Sequence, residues 1–219
     1  MGLDMYLSKQ YSKYRKDDGT FSTNWDDCKL DKFGRSNRVT FSEMVGYWRK
    51  DNHIHKWFVD KVQGGEDDCK EYYVSIGQLR ELRDTCFDIL SKLHGTEIRI
   101  PNKDVEDFKT ANTKMWGGSK IQRVTIDINN LETVRMMLTG YHALTESQIK
   151  KCDCRIKLPT QKGFFFGSYE YNGWYLQSLV DTIEMLDELF RNHDENDKKN
   201  KENPTTPGTY FDYYYQASW

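Results

Sequence analysis

Between Ser75 and Gly95 the chain carries a whole helix in one continuous stretch, and this stretch limits the fold more than any other. Ser75-Ile76-Gly77-Gln78 fits a capping box, in which a serine hydroxyl and a glutamine amide satisfy free backbone groups at a helix start. Leu79, Leu82, Cys86, Ile89, Leu90 and Leu93 then recur at the spacing of one helix face before Gly95 stops it. A stripe that continuous needs a second layer to bury it. The opening Gly2–Ser8 supplies a candidate, because Leu3, Met5 and Leu7 alternate onto one face of a strand. Val124, Ile126 and Ile128 alternate likewise, and Asn129-Asn130 are placed to cap a short helix over Leu131–Leu138 closed by Gly140. Gly163-Phe164-Phe165-Phe166-Gly167, an apolar run between glycines, reads as a central strand buried on both faces. From Gly173 a last helix is predicted through Leu176, Leu179, Val180, Ile183, Leu186, Leu189 and Phe190. The expected fold class is therefore α+β: one domain over 1–219 with a mixed or antiparallel sheet and helices packed on it, a size that suits a single core.

Two stretches interrupt the periodicity. Residues 13–38 are rich in Asp, Lys, Asn, Ser and Gly and read as an exposed loop or insertion. Residues 191–208 are charged and then punctuated by Pro204 and Pro207-Gly208, which predicts a flexible linker. Thr209–Gln216 is aromatic and strand-prone and closes at Trp219, so it is expected to return to the sheet or to wall a pocket.

Charge and composition exclude some functions. With 32 Lys and Arg against 34 Asp and Glu, and no long basic run, non-specific attraction to nucleic acid or a membrane surface is not expected. The first thirty residues hold no apolar signal core and no segment is apolar enough to span a bilayer, which makes the cytoplasm the expected location. The five cysteines lack the paired spacing of a zinc site; Cys152-Asp153-Cys154 has only His142 nearby, so free structural thiols are expected and no metal or cofactor. Gln63–Asp68 lacks the alternation of a calcium loop, and reads as a solvated turn. Met115–Lys120 could serve as a lid, with an exposed loop as the plainer reading. No phosphate-cradling loop, dinucleotide fingerprint, nucleophile elbow or zinc-protease motif is present.

The densest concentration of chemistry-bearing side chains is Tyr47–Phe58. Thr40-Phe41-Ser42-Glu43 fits a capping box, so a helix is predicted from there toward Val59. On such a helix Met44, Tyr47, Ile54 and Phe58 form the buried arc, while Trp48, Asn52 and His55 fall within about 60° of one another on the adjoining face. A ring to stack on, an amide, an imidazole and the nearby cations Arg49 and Lys50 suit a nucleotide-like ligand. The plainer reading keeps Trp48 and His55 as core edges beside a solvated charged face. His53 and His55 lie roughly 200° apart on a helix and cannot share a metal or substrate there.

Met1-Gly2-Leu3-Asp4-Met5-Tyr6-Leu7, the block Tyr47-Trp48-Arg49-Lys50-x-Asn52-x-Ile54-His55-x-Trp57-Phe58, Leu158-Pro159-Thr160-x-x-Gly163-Phe164-Phe165-Phe166-Gly167 and the closing Ser218-Trp219 together resemble a family of bacteriophage and prophage-borne proteins. The resemblance runs through the chain in order, apart from 13–38 and 191–203. It implies a phage accessory protein acting in the bacterial host cytoplasm, and brings no catalytic residue with it. By analogy with small phage proteins that counter host antiviral defence, the leading expectation is sequestration of a nucleotide-like small molecule by Trp48, Arg49, Lys50, Asn52, His55, Trp57 and Trp219. Two alternatives stand beside it: a phosphodiesterase or nucleotide hydrolase using His55 as acid or base, and a protein-binding inhibitor of a host defence factor that uses the aromatic tail. Assembly as a homo-oligomer is left open.

Overall fold

The computed structural model describes residues 2–101, 121–131, 143–202 and 209–219. The elements are β1 (Asp4–Arg15), β2 (Phe21–Ser22), β3 (Arg38–Arg49), α1 (Asn52–Lys61), β4 (Tyr72–Val74), α2 (Ile76–Lys92), β5 (Glu97–Pro101), β6 (Ile121–Thr125), α3 (Glu146–Cys152), α4 (Cys154–Lys157), α5 (Gly173–Glu202) and β7 (Asp212–Ser218). The fold is α+β with an antiparallel sheet. The chain divides into two compact units, Met1–Arg49 with Phe58–Arg80 and Met185–Trp219, and Lys50–Trp57 with Glu81–Glu184. Among the described residues no helix is long and apolar enough to cross a membrane.

The first unit is built on β1. It pairs with β3 from Asp4↔Arg49 to Tyr14↔Arg38, with β7 from Asp4↔Ser218 to Gln10↔Asp212, and beyond β7 with the short β2. The outer edge of β7 carries β4. Directly paired residues share a face and alternate residues share a face, so the register sorts the side chains. Leu3, Met5, Leu7, Trp48, Tyr213, Tyr215 and Ala217 are buried on one face. There Phe58 stacks on Tyr215 (centroids 3.8 Å apart, planes 7°), and the His193 imidazole bonds the Tyr213 hydroxyl at 3.1 Å. Farther along the same face the core gives way to a ladder in which Lys9 and Lys13 lie over Tyr11, Phe41 and Phe211. The step Leu7↔Gly46, Ser8↔Met44 leaves Val45 as an extra residue in β3, a bulge.

In the second unit Thr145 and Gln148 form a capping box at α3 (Gln148 N to Thr145 Oγ1 3.3 Å, Thr145 N to Gln148 Oε1 2.8 Å), and Asp153, at φ 54°, turns the chain into α4. Lys157 pairs with Asp88, Lys92 with Asp153 at 2.8 Å, and the Tyr175 hydroxyl donates to the Leu158 carbonyl at 3.1 Å. These contacts tie α2, α4 and α5 together. Cys86, Cys152 and Cys154 are buried thiols, Cys28 and Cys69 half-buried ones.

Several expectations change. The Ser75 box forms (Gln78 N to Ser75 Oγ 3.2 Å), but Thr40–Val59 is not one helix. Val39 and Phe41 favour a strand and β1 offers a full-length partner, so long-range pairing overrides the local capping pattern. Thr40 bonds Ser12 (3.2 Å between hydroxyls), Glu43 pairs with Lys9 (2.8 Å), and the helix starts only after Lys50, held at φ 61°. Gly163–Gly167 is a turn rather than a strand, with Phe164 94% exposed and only Phe166 buried. Residues 191–202 continue α5 instead of forming a linker, supported by Arg80–Asp194 (2.7 Å) and the i,i+4 pair Lys198–Glu202. Within 13–38 lie the end of β1, β2, a 3-10 turn at Trp25–Asp27 and the start of β3. Met115–Lys120, His142 and all but the first residue of Leu131–Leu138 lie outside the described residues.

Candidate functional site

The seven residues expected to hold a ligand are divided between the two units, and within the first Trp48 and Arg49 fall on opposite faces of β3. Trp48 sits on the core face of β3, 3% exposed, its ring edge-on to Phe58 at 5.6 Å. Arg49, on the opposite face, pairs with Asp4 at 3.8 Å. Trp57 is buried, and Trp219 is half-exposed just past β7. Lys50, Asn52, His55 and Trp57 belong to the second unit, Trp48, Arg49 and Trp219 to the first.

Asn52 is placed for a structural role. Its amide Nδ2 donates to the carbonyls of Phe166 (2.9 Å) and Ser168 (2.8 Å), and its Oδ1 accepts from the Gln161 amide (3.0 Å). Both amide hydrogens are thereby engaged inside the protein. His55, fully buried, stands edge-on to Phe166 at 5.3 Å. His53 is buried against the Tyr175 ring at 4.4 Å, and burial alone lowers its imidazole from the ordinary 6.5 to about 3. The alternative that makes His55 an acid or base lacks a solvent-facing ring with which to meet a substrate.

The Asn52 bonds gather Gln161–Ser168 into a braced loop. The Tyr169 hydroxyl donates to Gly163 O (2.5 Å) and accepts from Gly163 N (3.3 Å), and the Thr160 hydroxyl donates to Tyr169 O (3.1 Å). A side chain at Gly163 would meet the Phe166 ring at 2.5 Å. Gly167, at φ 87°, would set one 2.9 Å from the Lys50 Cβ, so both glycines are required by close approach.

The groove that gathers recognition groups lies elsewhere, on the face of the sheet opposite the core. Gln10, Ser12 and Tyr14 alternate along β1, with Thr40 and Arg38 beside them on β3 and Asp212 and Tyr214 on β7. Trp25 and Thr23 from the turn after β2, together with Tyr210, wall it, enclosing about 430 Å³. That volume is in the range of small-molecule pockets. Trp25 stands perpendicular over Tyr14 at 5.8 Å and leaves most of its ring in solvent, as does Tyr210. Among the described residues neither the Arg38 guanidinium nor the Asp212 carboxylate has an ion-pair partner; four residues of strand, roughly 13 Å, separate their levels on β1. Burial, with the Asp212 and Glu71 charges beside it, raises the Tyr214 hydroxyl above its ordinary value and keeps it a donor.

A second depression, about 570 Å³, lies in the second unit beside Arg155, Thr160 and Tyr171. Its polar groups are already engaged: Arg155 grips Glu146 through two bonds of 2.7 and 2.8 Å, and the Tyr171 hydroxyl accepts from Thr160 N at 3.3 Å. The sheet groove was missed in the sequence because 13–38 read as a loop. Its usable signal was the polar alternation Gln10, Ser12, Tyr14 continuing past the apolar Leu3, Met5, Leu7. Compared with protein-family models, with curated proteins and with solved structures, the chain gives no match.

Proposed function

We propose that this protein binds a nucleotide-like small molecule in the groove on the open face of its sheet and holds it without turning it over. The observation that carries the reading is the pairing of an uncompensated Arg38 with the exposed rings of Trp25 and Tyr210 in one groove. A guanidinium offers two parallel donors to a phosphate or carboxylate, the indole offers a stacking face to a heterocycle, and Asp212 can accept a hydrogen bond along its edge, where Gln10 bonds Glu71 and Ser12 bonds Thr40. In the setting that the resemblance to phage-borne proteins implies, such a binder sequesters a nucleotide signal of host antiviral defence. The site therefore moves from Trp48, Asn52 and His55 to the sheet face, while the class of ligand stays the same.

The test is calorimetry of the full chain against cyclic mononucleotides, cyclic dinucleotides and linear nucleoside phosphates, followed by heat release and mass measurement of the bound compound. The ligand is expected back unaltered, with Arg38→Ala weakening affinity by about 10- to 150-fold, as loss of a charge-assisted hydrogen bond does. Trp25→Ala should weaken it as well. Unchanged affinity in both variants would refute the groove, and recovery of an altered ligand would refute binding without turnover.

A further inference from the structure

We propose that the braced loop Gln161–Ser168 is a docking element that inserts Phe164 and Phe165 into an apolar socket rimmed by carboxylates on another protein. The inference is independent of the ligand groove.

A loop that exposes two phenyl rings loses the hydrophobic gain of burying them, and a mobile loop could fold them away. This one is held open. Asn52 fixes its two ends with three bonds, Tyr169 bonds both backbone groups of Gly163, and Phe166 anchors its base while Phe164 points outward, 94% exposed. Phe164 and Phe165 meet edge to face at 4.7 Å, and so present one preformed aromatic knob. Rings fixed before binding lose little conformational freedom on docking, which is how aromatic anchors come to dominate interfaces.

The charges around the knob select its partner. Lys162 lies inside the loop and Lys50 runs along Gly167; among the described residues neither has an ion-pair partner. The other cations nearby are neutralised, Arg155 by Glu146 and Lys157 by Asp88. Glu170 is the one acidic side chain between residues 157 and 170. Two free lysines beside an apolar knob complement an acidic rim around an apolar pocket, and they oppose a basic surface.

The experiment places a photoreactive phenylalanine analogue at Phe164 in the full chain, made in a bacterial host and irradiated in the cell. A parallel chain carries the analogue at the equally solvent-facing Phe33, 69% exposed, as control. The expected result is one discrete adduct from position 164, absent from position 33, whose mass is not a multiple of this chain. Lys50→Glu with Lys162→Glu should cut its yield several-fold, and raising salt in lysates should do the same. Phe164→Ser should abolish a competing unlabelled chain's ability to suppress the adduct, with its melting temperature unchanged, since the ring packs against little. No adduct, an adduct of two copies of this chain, an adduct insensitive to both lysines, or Phe164-dependent binding to phosphatidylglycerol vesicles would each overturn the proposal.

Discussion

Replacing Asn52 by alanine removes three hydrogen bonds at one buried point, and the consequence can be worked from the geometry. The Phe166 carbonyl is buried, so the loss of its donor costs about 1–3 kcal/mol. The Ser168 carbonyl and the Gln161 amide are only partly buried, and each bond lost there costs about 0.5–1.5 kcal/mol because water can replace the partner. The total is about 2–6 kcal/mol, and its midpoint of about 4 kcal/mol is a change on the order of 1,000-fold in the ratio of folded to unfolded chain. Urea denaturation measures the global loss, and hydrogen exchange at the Gln161 amide measures the local one, which should speed up. Asn52→Asp is a sharper probe. It keeps an acceptor for Gln161 but turns a carboxylate oxygen toward two carbonyls, so at neutral pH it should destabilise at least as much as alanine. Acidification should recover part of the loss, as the protonated carboxyl regains a donor. If Asn52→Ala lost less than about 0.5 kcal/mol and left Gln161 exchange unchanged, the amide would not be holding the loop. A ligand-reading Asn52 would give a stable variant with no ligand.

His53 and Phe58 offer further tests. The unfolded chain protonates His53 near 6.5 and the folded chain only near 3, so stability fully present above pH 6.5 drains as pH falls through that window, at about 1.4 kcal/mol per pH unit. His53→Gln should flatten the slope of stability between pH 6 and 4.5 by about one proton, and an unchanged slope would refute burial as the cause. Phe58→Ala, which empties the space between Tyr215 and Trp48, should cost about 3–5 kcal/mol in urea denaturation, with Phe58→Leu recovering more than half; a loss under about 1 kcal/mol would mean the stack is not part of the core.

The elements legible in the sequence were those whose instructions are local. The Ser75 box, the stripe of α2 and the period from Leu176 to Phe190 each lie within one helix, and the structure uses them as written. Thr40–Glu43 carries an equally good local signal that is overruled by a partner 28 or more residues away, since Thr40 faces Ser12 and Glu43 faces Lys9. The run Gly163–Gly167 has the composition of a buried strand, and only contacts reaching back to Lys50 and Asn52 reveal why a turn needs those glycines. Asn52 stood out as the amide beside Trp48 and His55 on the face of a predicted helix. Its partners lie 109, 114 and 116 positions downstream, so nothing in the local pattern could distinguish a clamp on backbone from a reader of ligand.

The extra residue at Val45 acts as a selector of orientation. With it, Arg38 and Thr40 line the groove while Phe41 and Glu43 join the aromatic ladder behind. Pair Val45 with Ser8 instead, so that the strand runs without a bulge, and with Trp48 still anchored inward every side chain from Arg38 to Met44 changes sides, because a strand alternates with a period of two. The groove would then be lined by Val39 and Phe41, and the cation would leave it. Deleting Val45 would keep every face as it is, because Leu7↔Gly46 and Ser8↔Met44 would then follow one another in regular pairing, so what holds the binding face is that Val45 stays out of the ladder rather than the length of the segment.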